Sequence, residues 1–173
     1  MSRIRVVPII LVAIVALAIL FGGFQFYQHY NVVSPVQTDL QKVSGVKSVQ
    51  IVTGSPTSVD IKLNKVSDLQ STYKEISKKA SNELNSSVKI HISDNASPAL
   101  QKEYENIFPV LSEGIAKGNY TEMIAQVTKT AASHGIQTKV TMDAQDVFVQ
   151  MTKGSHYLYK VVPYKLWGGD GVS

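Results

Sequence analysis

The stretch VSGVKSVQIVTGSPTSVDIKL, residues 43–63, changes its hydrophobic period twice within twenty residues. Val43 closes an apolar face spaced for a helix, and Gly45 is placed to end that helix. From Val46 the period is two: Val46, Val49 and Ile51 mix with Lys47, Ser48 and Gln50. Gly54-Ser55-Pro56 turns the chain, after which Val59, Ile61 and Leu63 alternate with Asp60 and Lys62. Such alternation puts one apolar side on each strand, so the stretch reads as a hairpin that must bury one face.

On either side lie elements able to cover that face. Ser34-Pro35 supplies a cap and a first-turn proline, with Val36, Leu40 and Val43 along one side of a short helix. Downstream, Ser67 and Gln70 form a capping box for a longer helix striped by Leu69, Tyr73, Ile76, Ala80 and Leu84. A third strand follows, with Val88, Ile90 and Ile92 against Lys89, His91 and Ser93, and ends at Asp94-Asn95. The second half starts at Ser97-Pro98. Leu100, Tyr104, Ile107, Leu111 and Ile115 share one helical face up to Gly118, with Pro109 expected to kink or split it. Asn119 and Glu122 form another capping box for a helix carrying Met123, Ile124, Val127 and Ala131, which stops at His134-Gly135. Three alternating strands close the chain, with turns at 143–146 and at Lys153-Gly154. The expected class is α+β: helix-strand-strand-helix-strand, then two helices and a three-stranded antiparallel meander.

Ahead of all this runs Val6 to Phe24, nineteen residues without a charge, preceded by Arg3 and Arg5. At about 1.5 Å per residue a helix of that length reaches roughly 28 Å, which predicts one N-terminal transmembrane helix; a cleavable signal is the alternative, although its apolar region is usually shorter. The flanking arginines predict a cytoplasmic N-terminus, hence a single-pass protein of the cell membrane with an extracytoplasmic C-terminal domain and the lipid bilayer as a partner. The expected organisation is 1–5 cytoplasmic N-terminus, 6–24 membrane helix, 25–33 spacer, 34–95 first module, 96–165 second module and 166–173 flexible tail.

Val43-Ser44-Gly45-Val46, the strand Val59 to Leu63, the Asp68-Leu69 helix start and the strand from Val88 to Asn95 together resemble small modules of bacterial envelope proteins. The residues 34–95 are similar to YhcN/YlaJ-type sporulation lipoproteins and to the ring-building modules of secretion and sporulation channels. The resemblance implies a non-enzymatic envelope role. The chain departs from the lipoproteins by having no cysteine to carry a lipid.

The absence of cysteine also removes disulfides, thiolate catalysis and cysteine-based zinc sites. Seventeen basic against thirteen acidic residues, with lysines spread from Lys42 to Lys165, argue against a nucleic-acid surface. His29, His91, His134 and His156 are too far apart in sequence for a local metal pair, so no metal and no cofactor are expected. Glu103 and Glu105 would point about 200° apart on a helix, and Asp143 and Asp146 bracket a turn. No catalytic residues emerge. The function expected is a membrane-anchored assembly or interaction module of the cell envelope, with a protein partner, self or other. A ligand-binding or sensory domain is the alternative, and a wall-active hydrolase a disfavoured second one. Candidate contact residues are Ala18 and Gly22, a small-xxx-small step, and Tyr164 and Trp167, with the open strand edges as a further site.

Overall fold

The computed structural model describes residues 6–28, 33–54, 56–84 and 88–164, with side chains over 11–23 in the first segment. Among the described residues five helices and two three-stranded sheets make it α+β: α1 (Val6–Gln28), α2 (Ser34–Gln41), β1 (Val46–Val52), β2 (Thr57–Leu63), α3 (Leu69–Leu84), β3 (Val88–Ser93), α4 (Pro98–Lys117), α5 (Tyr120–Ser133), β4 (Gln137–Met142), β5 (Asp146–Lys153) and β6 (His156–Pro163).

The N-terminal apolar run is helical, but the membrane span expected over 6–24 is not upheld. Among the described residues no helix is long and apolar enough to cross a membrane. The transmembrane and single-pass assignments, the cell-membrane location, the cytoplasmic N-terminus and the extracytoplasmic placement of the rest all depended on that span and fall with it. Residues 1–5 and 166–173, named above as terminus and tail, lie outside the described residues.

In the first sheet β1 pairs antiparallel with β2, and β2 pairs parallel with β3 through the α3 crossover. Its inward residues, Val49, Val59, Ile61 and Leu63, pack with Val36 and Leu40 of α2 and with Leu69, Ile76 and Ala80 of α3. Gly45 has φ +91°, and a Cβ there would sit 2.3 Å from Val66 Cγ1, so the turn into β1 needs glycine for both backbone and space.

The second sheet is the antiparallel meander β4-β5-β6. Val140, Val147, Val149, Met151, Leu158 and Val162 cover one face and meet Leu100, Ile107 and Leu111 of α4 and Val127 and Ala131 of α5. Phe148 and Tyr159 point the other way and belong to the first core, where the Phe148 ring lies 5.5 Å from that of Tyr73, edge to face. The meander is therefore a middle layer. It has α4 and α5 on one side and the first unit on the other, and β5 carries buried residues on both faces.

Several local expectations change, among them the cap expected at Ser34, which is instead the first residue of α2 with no side chain capping it. Asp68, rather than Ser67, opens α3, its Oδ1 accepting from the N–H of Ser71 at 2.7 Å. α4 runs unbroken from Pro98 to Lys117 despite Pro109, seated between Ser97, whose Oγ accepts from Leu100 N, and Gly118 in the left-handed conformation. At the start of α5 the Asn119 amide meets the Glu122 carboxylate at 2.5 Å, and no side chain caps the backbone.

Candidate functional site

Leu11, Val12, Ile14, Val15, Leu17, Ile19, Leu20 and Phe21 of α1 are between 49% and 74% exposed. Successive residues turn by 100°, so these positions surround the helix rather than forming a stripe. Neither core draws on them. Ala18 and Gly22 lie one turn apart on the same helix and are exposed. Among the described residues nothing lies within 4 Å of a Cβ placed at Gly22.

Tyr164 is not a free contact. Its hydroxyl donates to the carbonyl of Asp143 at 2.7 Å, its N–H to Gln145, and its ring lies 5.7 Å from that of Tyr120. It locks the β4–β5 turn onto α5. Trp167 lies outside the described residues.

The strand edges, open in the sequence reading, carry contacts from outside their own sheets. At β1 the Gln37 amide donates to Val49 O at 2.8 Å. At β4 the Gln70 amide donates to Met142 O at 3.0 Å. At β6 the N–H of Tyr159 donates to the Asp94 carboxylate at 2.8 Å and that of Tyr157 to Asn95 O, so the end of β3 runs into an antiparallel bridge with β6. These contacts blunt the edges at those points, which discourages strand addition there.

Chemistry-bearing side chains come together at one place that sequence spacing did not join. Glu103, 4% exposed, lies on the core face of α4 between Leu100 and Ile107 and receives His134 Nδ1, at the end of α5, at 2.8 Å. A signal was available: a carboxylate at i+3 from Leu100 and i−4 from Ile107 sits on the buried stripe. Asp143 accepts from the N–H groups of Gln145 and Asp146, both at 2.9 Å, and meets Lys74 at 3.2 Å, so it orders its turn as expected of a turn acid. Burial, with Asp143 nearby, raises the carboxyl pKa of Asp146. His91 is exposed on the polar face of β3. Among the described residues no three His, Cys, Asp or Glu side chains converge as a metal site.

The depressions on the body are open ones. One lies over Gly114 between α4 and α5, lined by Val110, Glu113, Lys117 and Met123. Another lies on the polar face of the first sheet beside Gln50, Asp60 and Lys62. Compared with family models, curated proteins and solved structures, the chain finds no match.

Proposed function

We propose that the protein acts by binding, as a non-catalytic assembly or interaction module in which an α+β body is joined to partners through α1. The carrying observation is the ring of exposed apolar side chains from Leu11 to Phe21, an apolar surface of a kind that marks an interaction site. The contacts that blunt β1, β4 and β6 favour the helix over those edges. The resemblance of residues 34–95 to modules of envelope assemblies agrees with a binding role.

Light scattering over a concentration range, on the full chain in mild nonionic detergent and on residues 31–173, tests this. The shorter chain keeps both cores, since no described α1 residue enters either. Association of the full chain, with itself or with a partner from the same cells, and a monomeric shorter chain are expected. Equal behaviour of the two would overturn the assignment to α1.

A further inference from the structure

We propose that the outer edge of β3 is a docking edge for one extended segment of a partner protein, a strand in which apolar residues alternate with acidic ones. The edges of the two sheets are not alike. Those of β1, β4 and β6 each take a side chain from elsewhere in the chain. On β3 such cover begins only beyond the strand, at the Asn95 bridge to β6. Among the described residues no hydrogen bond from outside the first sheet reaches the backbone from Val88 to Ser93. At roughly 3.3 Å per residue that edge is about 20 Å long, enough for an added strand to form a ladder.

The two faces of β3 set the chemistry of the added strand. Val88, Ile90 and Ile92 sit at the border of the first core and are half-buried, whereas Val59 and Ile61, their neighbours on β2, are fully buried. A further strand would lay every second side chain beside that border row and extend the core, which calls for apolar residues there. On the opposite face Lys89, His91 and Ser93 are exposed. Lys89 is aligned with Ser58 across β2, and Asp60, the acid of this face, is aligned with His91. None of the ion pairs among the described residues takes the Lys89 ammonium. A carboxylate opposite it on an added strand would form a cross-strand pair, and the imidazole of His91 offers a ring N–H to the next position.

Charge decides against a second copy as the occupant. Two β3 strands laid antiparallel in a central register match their apolar rows, but they set Lys89 against His91 or Ser93 of the copy and bring two lysines onto one face with no acid between them. A lysine on an open edge discourages self-pairing, and the same lysine selects an acidic strand. The site uses no residue of α1, so it stands or falls apart from the role given to that helix.

The test is an amide NMR titration of the full chain in mild nonionic detergent with capped heptapeptides. Three are compared: Val and Glu in alternation, Val and Lys in alternation, and the Val/Glu composition ordered as two blocks. The alternating Val/Glu peptide is expected to shift the amides of residues 88–93 first and to bind about fivefold or more tightly than either of the others. A central proline in that peptide removes a ladder N–H and should weaken binding by a similar factor. Lys89→Glu changes an exposed side chain and should reverse the preference toward the Val/Lys peptide. No binding at millimolar peptide, shifts confined to other elements, equal binding of the block-ordered peptide or an unchanged preference in Lys89→Glu would overturn the proposal. A peptide-free dimer lost in Lys89→Glu would overturn it too, by giving the edge to a second copy.

Discussion

Gln150, in the middle of β5, donates its side-chain N–H to the carbonyl of Val66 at 2.8 Å, and its Oε1 accepts from the N–H of Leu69 at 3.1 Å. One amide thus does for the loop before α3 what a neighbouring strand would do, and it does so across the boundary between the two cores. Gln150→Ala leaves both backbone groups without that partner, a loss of about 1–3 kcal/mol. Urea denaturation should show a lower midpoint, with both halves of the chain still unfolding in one transition.

Tyr159 makes a second tie to the same loop. Its hydroxyl accepts from Val66 N–H at 2.8 Å and donates to Asn64 O at 3.3 Å, with the ring itself buried. Tyr159→Phe keeps the ring and removes the acceptor, so about 1–2 kcal/mol should be lost. Gln150 and Tyr159 share Val66, and the double variant should therefore lose measurably less, or more, than the sum of the singles. Strict additivity would show that the two ties act independently.

Gly45→Ala meets two obstacles. The φ of +91° disfavours any side chain by about 1–2 kcal/mol, and the new methyl would overlap Val66 Cγ1. Shortening the neighbour with Val66→Ala relieves only the overlap. Thermal melts should place the double variant above the value that summing the two single losses gives.

Asp68 titrates on behalf of α3. The Lys139 ammonium, 2.5 Å away, with the Ser71 N–H, lowers its carboxyl pKa from the ordinary 3.8 to about 2. A carboxyl depressed in the folded state contributes stability above 3.8 and loses it as pH falls toward about 2. The side chain is a third exposed, so the contribution is at most about 1 kcal/mol. Asp68→Asn should narrow the stability difference between pH 5 and pH 2 by that amount, read from denaturant midpoints.

How much of this was legible depends on whether the cause is local. The alternation of Val59, Ile61 and Leu63 encodes a strand with one buried side, and the structure buries all three. The helix stripes at Leu100, Ile107 and Leu111 are equally direct. β5 was half legible. Val147, Val149 and Met151 alternate toward α4 and α5, but Phe148 between them is buried too, against the first core. A run of consecutive apolar residues is the mark of a strand covered on both faces, and alternation hides it. Ser67 and Asp68 are adjacent candidates for one cap, and only the backbone geometry selects the second. The Glu103–His134 pair spans thirty-one residues, beyond the reach of any spacing rule. The membrane span was read from composition over the whole run and is not sustained by the described residues.

The two-faced β5 makes the halves of this chain inseparable as cassettes. A fragment ending at Asn95 would strip Phe148 and Tyr159 from the core built around Ile61 and Ile76, and one starting at residue 96 would present those same rings to water. Recombination at the junction would give two incomplete pieces. The chain must be inherited, synthesised and degraded as a unit, with its first half unfinished until the last hairpin leaves the ribosome.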